Sequence, residues 1–211
     1  MESPMNILSH MLLSGDDHDI FVGNFMGDFI KGHTLDRYSF RVRQGIMLHR
    51  RIDSFAESEP IFRQSRQRLA PHYGLYRGIL VDIFYDHFLI KEWNDWSKEP
   101  LNDYLARARY IVDRYLDCLP ERLKQAVPVI FEKIIPLYGE MAGIGEALER
   151  MSRRLTRQNP LAGSEAELLA HYDGLRRDFH SFLPKARRFA ENFIAAQNGE
   201  PDGGPSGPDI L

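Results

Sequence analysis

The sequence predicts an all-α fold in a single compact domain. Apolar residues recur at helical spacing along most of the 211-residue chain. No series of alternating β-branched runs joined by hairpin turns is found. No Pro/Gly/Ser-rich linker interrupts the first 155 residues, so one helical domain is expected over residues 1–196.

Glycines and prolines divide this domain into helices. The spacing predicts helices at about 18–31, 37–56, 59–70, 73–93, 100–117, 120–134, 138–154 and 165–195, most of them bounded by a Gly or Pro. The only interior loop expected is 155–164. From 197 to 211 the chain is rich in Gly and Pro and has too few apolar residues to pack, so a disordered tail is predicted.

Composition is that of a globular chain, with 43% hydrophobic and 27% charged residues and a net charge of -3. This charge gives no nucleic-acid signature. The single cysteine, Cys118, excludes an intrachain disulfide, fits a reducing compartment and is expected to be a small buried side chain. The N-terminal apolar run lacks a basic leader, and no run reaches the ~18 residues of a membrane span. We therefore expect a cytoplasmic protein.

Positive charge is concentrated in one region. Between residues 37 and 77 nine arginines stand against three acids, an excess of six. Such a patch can steer an anionic partner, although a solvated helix face has the same composition. The arginines are 37, 41, 43, 50, 51, 63, 66, 68 and 77.

The clearest chemical signal is a pair of carboxylates on an apolar helix face. Asp82 and Asp86 are four residues apart, so they lie one turn from each other on one face. No Lys or Arg stands three or four residues from Asp82, and a divalent cation would relieve the repulsion between the two carboxylates. His87 adds a nitrogen ligand or a proton donor.

Two further segments carry similar groups. His49 and Asp53 are also four residues apart, the spacing by which one helix offers two ligands to one ion. Asp28 and Lys31 stand among apolar neighbours, and the glycine before Asp28 leaves room for something to approach. Each feature also has a structural interpretation. His49–Asp53 could be a helix-stabilising hydrogen bond, Asp82 and Asp86 could pair with arginines of another helix, and Asp28 could be a helix cap or an ion-pair residue.

Taken together, three helices place acids or His/acid pairs on faces that should be buried. Carboxylates with imidazole suit Mn²⁺ or Mg²⁺ and are compatible with iron, whereas the absence of thiolates argues against structural zinc. No dinucleotide, P-loop or nucleophile-elbow motif is present.

At these residues the chain resembles the acyl carrier protein phosphodiesterase family, which itself resembles a divergent branch of the HD-domain phosphohydrolases. The likeness covers almost the whole chain. Its motifs are Asn6–His10, Gly23-Asn24, Gly27-Asp28-Phe29, Lys31-Gly32, Gly45-Ile46, His49–Asp53, Asp82, Asp86–Leu89, Trp93 and His171-Tyr172-Asp173.

The resemblance implies hydrolysis of the phosphodiester that joins 4'-phosphopantetheine to a serine of holo-acyl carrier protein, with Mn²⁺ as the expected metal. It gives the arginines an acidic protein partner, and it implies neither a nucleic-acid nor a membrane partner. The hypothesis places the metal on Asp28, His49, Asp53 and Asp86, with Asp82 as a ligand or in the surrounding shell.

His87 is the hypothesised general acid, although a role as ligand is also compatible with its position. Lys31 and Arg50 would neutralise charge on the phosphoryl oxygens, and His10 and His171 would line the site. Two alternatives stay open: a metal-dependent phosphohydrolase acting on a nucleotide or another small phosphodiester, and a non-catalytic helical module that binds an acidic partner.

Overall fold

A computed structural model describes residues 6–31 and 34–197, and in these residues the chain folds entirely into helices and connecting segments. The all-α prediction is confirmed. The predicted disordered tail spans 197–211; Gln197 is the last residue of a helix, and 198–211 lie outside the described residues. The helices are α1 Ile7–Leu12, α2 His18–Phe25, α3 Phe40–Ser58, α4 Pro60–Arg68, α5 Tyr76–Lys91, α6 Trp93–Trp96, α7 Leu101–Arg114, α8 Glu121–Val129, α9 Ile135–Tyr138, α10 Met141–Arg154 and α11 Glu165–Gln197.

The observed helices follow the predicted ones, with differences at their ends. A π-helical turn, Ile130–Ile134, joins α8 to α9, and α11 has a non-helical residue at His171. Helix α7 ends at Arg114, so Cys118 falls in a later 3₁₀ turn and is exposed rather than buried. No helix in the described part of the chain is long and apolar enough to cross a membrane.

The sequence did not predict α1, because the signal that starts this helix is not local. Its N-cap residue, Asn6, has a left-handed backbone (φ 49°) and makes no side-chain capping bond. The backbone N–H groups of Leu8 and Ser9 instead donate to the Asp86 carboxylate at 3.0 Å each. The acceptor for these N-terminal N–H groups lies 78 residues away in the sequence. The residues next to α1 therefore do not reveal that a helix begins there.

Helices α2 and α3 pack with their backbones in contact. A Cβ at Gly23 would lie 2.1 Å from the Val42 carbonyl oxygen, and one at Gly45 would lie 2.2 Å from the Ile20 carbonyl oxygen. Only glycine fits at either position. The close contact fixes Asn24, the residue after Gly23, against the helix that carries His49.

Helices α4 and α11, which both contact α3, are joined by a buried ion pair. Asp178 is 4% exposed and accepts from Arg68 Nε at 2.7 Å and Arg68 Nη2 at 3.0 Å. The Ser65 hydroxyl also donates to it, at 2.9 Å. A buried carboxylate needs this set of donors because desolvation otherwise disfavours its charge.

This pairing reduces the positive charge that the arginines between 37 and 77 can offer to an anionic partner. Arg68 belongs to the packing of α4 on α11. Arg41 Nη2 lies 2.7 Å from Asp17, and Arg66 Nη1 lies 3.7 Å from Glu57. The sequence count therefore overstates the charge that this region can offer to a partner.

We expect Arg68→Ala to lower the free energy of unfolding by on the order of 3 kcal/mol, because Asp178 would stay buried without its cation. Urea denaturation followed by circular dichroism measures this loss. Arg63→Ala is the matched control, since Arg63 is exposed on the same helix, and should change stability by less than about 0.5 kcal/mol. Equal losses in the two variants would contradict this account of α4.

Candidate metal centre

Two buried histidines from different helices meet face to face. His10 of α1 and His49 of α3 are 2% and 5% exposed. Their rings stack with centroids 3.9 Å apart and planes 19° apart. The stacking sets the two Nε2 atoms side by side, which is the arrangement needed for both to reach one ion.

Asn24 holds both rings by their Nδ1 atoms. His10 Nδ1 lies 2.9 Å from the Asn24 side-chain oxygen, and His49 Nδ1 lies 2.8 Å from the Asn24 backbone oxygen. The Asn24 amide nitrogen donates to the His10 carbonyl and to the Ser14 hydroxyl, both at 2.9 Å. This fixes the orientation of the amide, because a carbonyl oxygen only accepts.

The protonation of the rings follows from these bonds. Each Nδ1 faces an oxygen that accepts, so each Nδ1 carries a hydrogen. In the neutral form, both Nε2 atoms then present lone pairs. Metal-binding histidines are commonly fixed in this way, by a donor bond from the other ring nitrogen.

Carboxylates face both lone pairs. Asp53 Oδ1 lies 3.1 Å from His10 Nε2, and Asp53 Oδ2 lies 3.5 Å from His49 Nε2. Asp28 Oδ1 lies 3.1 Å from His49 Nε2. One ligand atom each from His10, His49 and Asp53 lies within 4.8 Å of the others, so these three could hold one metal ion.

The pKa shifts show how this cluster is charged without a metal. Burial lowers the pKa of His10, and the nearby His49 lowers it further. Burial also opposes charge on His49, but the hydrogen bond and charge of Asp28, with the charge of Asp53, raise its pKa above the ordinary value. Asp28 and Asp53 thus favour positive charge at the His49 ring, and a cation placed beside its Nε2 atom would face the same two carboxylates.

A cavity of about 320 Å³ opens beside this cluster. Asp28, Asp53 and Asp82 all line it, so the structure brings these three predicted residues together. Burial raises the pKa of Asp82 well above its usual range, and the charges of Asp53, Asp86 and Asp28 add to this. Imidazole and carboxylate donors without thiolate fit Mn²⁺ or Mg²⁺ in this position.

Asp86 is placed differently from the other predicted ligands. It is fully buried and accepts three hydrogen bonds, from the Leu8 and Ser9 backbone and from the Ser9 hydroxyl. Burial raises its pKa to about 6, against the effect of these bonds. Its position at the start of α1 makes it the anchor of the helix that carries His10.

His87 and His171 are engaged elsewhere. His87 Nδ1 donates to the Tyr138 carbonyl at 2.8 Å, and its Nε2 lies 3.2 Å from the Tyr172 hydroxyl. Burial lowers its pKa. His171 Nε2 lies 3.8 Å from Glu167, one turn earlier in α11. Neither histidine is among the residues that line the cavity.

Of the two predicted cations, Lys31 lies three residues after Asp28, and Arg50 lies on α3. Arg50 Nη2 donates to the Ile30 carbonyl at 3.1 Å, so it braces the segment after Asp28 against α3. Lys31 is exposed. Whether either side chain contacts a phosphoryl group stays a prediction.

Sequence reasoning gave His10 a minor role and Asn24 none. Both belong to motifs that carried the family resemblance, Asn6–His10 and Gly23-Asn24. These motifs were the only sequence signal that could have identified His10 and Asn24 as site residues. Helical spacing relates residues within one helix and does not show which helices meet. The glycine before Asp28 was expected to leave room for an approach, and the group that approaches it is the His49 ring.

Comparison with known proteins agrees with these motifs. A family profile described as acyl carrier protein phosphodiesterase matches residues 5–186. The chain belongs to the acyl carrier protein phosphodiesterase family. No solved structure matches, so the predicted likeness to HD-domain phosphohydrolases stays a prediction.

Relatives named acyl carrier protein phosphodiesterase match along almost their whole length. The one from Pectobacterium atrosepticum is 30% identical over 189 residues, which is 89% of this chain and 98% of that protein. The one from Klebsiella pneumoniae subsp. pneumoniae is 32% identical over 190 residues, with the same shares. The one from Yersinia enterocolitica is 29% identical over 182 residues, covering 85% of this chain and 94% of that protein.

We expect Gly27→Ala to weaken Mn²⁺ binding at least tenfold. A Cβ at this position would lie 2.2 Å from His49 Cγ, so the ring must move away from Asn24 and His10. Calorimetric titration with Mn²⁺ measures the effect. Ser54→Ala, at an exposed position on α3, is the control and should bind normally; normal binding by Gly27→Ala would contradict the placement of His49.

The affinity for Mn²⁺ should rise with pH above about 6.5, the ordinary pKa of histidine. The metal must displace the proton that Asp28 and Asp53 hold on His49, whose pKa is raised. Affinity should level off once the pH exceeds the pKa of His49 in the metal-free protein. Titrations at successive pH values in buffers of different ionisation enthalpy should show proton release on binding. Binding that is independent of pH would contradict a ligand role for His49.

Proposed function

We propose that this protein hydrolyses the phosphodiester between 4'-phosphopantetheine and a serine of holo-acyl carrier protein. The products are apo-acyl carrier protein and 4'-phosphopantetheine. The observation that carries the proposal is the His10–His49–Asp53 cluster at an acidic cavity, in a chain whose family is acyl carrier protein phosphodiesterase.

The residues that would hold a divalent cation, with Mn²⁺ expected, are His10, His49, Asp53 and Asp28. This set differs from the sequence-based hypothesis by including His10 and by giving Asp86 a positioning role. A cation bound there would supply Lewis-acid stabilisation of the phosphoryl oxygens and would lower the pKa of a water molecule. Asn24 keeps both imidazoles oriented with their Nε2 lone pairs towards the carboxylates.

Asp82 is the better placed general acid. Hydrolysis breaks the bond between phosphorus and the serine oxygen, and that oxygen leaves with a proton. Asp82 lines the cavity, and its raised pKa favours a carboxyl group that retains a proton to donate. Both ring nitrogens of His87 are already bonded to Tyr138 and Tyr172, so we assign His87 to helix packing instead.

The carrier protein would approach over a surface that includes exposed arginines. Arg51 and Arg63 are exposed on α3 and α4, whereas Arg68 is committed to Asp178. The idea that this surface steers an acidic partner therefore rests on fewer cations than the nine in the sequence. Steering of this kind weakens as salt shortens the Debye length.

The test is a mass spectrum of holo-acyl carrier protein after incubation with this protein and Mn²⁺. We expect loss of the phosphopantetheine group, its abolition by EDTA and its recovery with added Mn²⁺. Full turnover after exhaustive chelation would exclude the metal mechanism. An unmodified holo-carrier under all metal conditions would exclude the proposed reaction.

Two variants separate a ligand from a positioning residue. Saturating Mn²⁺, at about 100 times its Kd, should raise the melting temperature by roughly 5–10 °C. Asp53→Asn should keep its metal-free melting temperature and lose this rise. Asp86→Asn should melt lower without metal, because its amide would face the N–H donors of α1, and should show a smaller rise, because His10 is then held less firmly. An Asp86→Asn protein that melts normally without metal but lacks the rise would restore Asp86 to the ligand set.

A further inference from the structure

The cavity beside the metal centre is lined by two kinds of residue, which we call its acidic wall and its apolar wall. Its acidic wall carries Asp28, Asp53 and Asp82, with Glu57 further along α3. Its other wall is apolar and consists of Ala56, Phe62, Leu75, Gly78 and Ile79. A cation and a phosphoryl group need only the first wall, so the second has no role in the function proposed above.

The apolar wall leads away from the metal centre along two helices. On α3, Ala56 lies one turn beyond Asp53. On α5, Gly78 and Ile79 lie one turn before Asp82, and Leu75 lies just before the helix starts. Seven residues separate Asp82 from Leu75, about 10 Å at the rise of an α-helix.

The far end of this wall is open to solvent. Leu75 is 89% exposed, the highest value among the large exposed hydrophobic residues of the described chain. Phe62, by contrast, is 4% exposed and packs edge-on to Tyr85, with ring centroids 5.8 Å apart. The wall therefore runs from a fixed aromatic ring to an apolar side chain that nothing covers in the free protein.

We propose that this apolar wall binds the pantetheine arm of the substrate. The inference rests on the proposed function, which puts the phosphodiester at the metal centre and so brings the attached arm into the same cavity. Charge decides which part of the substrate lies here: Glu57 and Asp82 repel an acidic protein surface but not an uncharged chain of amide and methylene groups. The arm exchanges water for apolar contacts with Ile79, Phe62 and Leu75.

Gly78 keeps room for the arm on this wall. A Cβ built at Gly78 meets no atom within 4 Å, so a side chain fits there without disturbing the protein. Glycine is also a poor helix former compared with alanine, by about 1 kcal/mol. A larger residue would improve the helix and fill the space, and Gly78 thereby determines specificity for a substrate with an arm.

The test compares Gly78→Phe with Gly78→Ala and the unmodified protein, all Mn²⁺-loaded and full length. Gly78→Phe should raise KM for holo-acyl carrier protein at least tenfold, and Gly78→Ala should change it less than threefold. Gly78→Phe should lose at least tenfold more kcat/KM on holo-acyl carrier protein than on methyl 4-nitrophenyl phosphate, which has no arm, whereas Gly78→Ala should lose the same factor on both substrates. Thermal melts check that both variants fold.

A binding measurement keeps the inference separate from the proposed reaction. S-methylpantetheine is uncharged and has no phosphate or free thiol, so the metal does not hold it. In calorimetric titrations of the Mg²⁺-loaded protein it should bind the unmodified chain and Gly78→Ala, and bind Gly78→Phe at least tenfold more weakly.

The two proposals fail in different ways. If the unmodified protein leaves holo-acyl carrier protein intact, the proposed hydrolysis is overturned. The titration with S-methylpantetheine then tests by itself whether the apolar wall binds a pantetheine arm. Active Gly78→Phe with an unchanged KM for holo-acyl carrier protein overturns the inference and leaves the reaction standing. Absence of S-methylpantetheine binding to the unmodified chain, or equal binding to Gly78→Phe, also overturns it.

Discussion

The backbones of α2 and α3 touch at Gly23 and Gly45, and the candidate metal centre is built on this contact. Because the helices come so close, the Asn24 backbone oxygen reaches the His49 ring while its side chain reaches His10. One residue thereby sets the tautomer and the orientation of two imidazoles. A side chain at either glycine would separate the helices and remove this common support.

A second constraint acts from the other side of the centre. Asp86, at a fully buried position of α5, holds the first turn of α1 by accepting from its backbone N–H groups. A carboxylate at a helix start accepts hydrogen bonds from N–H groups that have no partner within the helix. Its negative charge also interacts favourably with the positive, N-terminal end of the helix dipole. Since α1 has only six residues, this tertiary bond rather than helix propensity keeps His10 in place.

The sequence predicted most of the fold because its helices are long, periodic and bounded by Pro or Gly. It did not predict α1 or the short α6, where the stabilising contacts come from distant residues. For the site, spacing within a helix found His49 with Asp53 and Asp82 with Asp86. It could not distinguish Asp82, which faces the cavity, from Asp86, which faces α1, because both lie on the same stripe of α5.

The same limit explains the histidines. His10, His49 and His87 all lie on buried helix faces, and burial alone does not show what each ring nitrogen contacts. Family motifs carried more information here than periodicity did, since they join residues from separate helices. The arginine count misled for a related reason: a cation in the sequence shows its charge but not the carboxylate it already binds, as Arg68 binds Asp178.

The contact of His49 with Asp28 and Asp53 has a consequence for the protein before any cation binds. The two carboxylates favour a proton on this ring, and the Asp53 side chain is 48% exposed, so water also solvates its charge. A cation bound at this candidate centre would therefore differ from the ion of a zinc finger, whose loss unfolds the domain. The helices would stay assembled without it, and the supply of free cation would set how much of the protein is loaded.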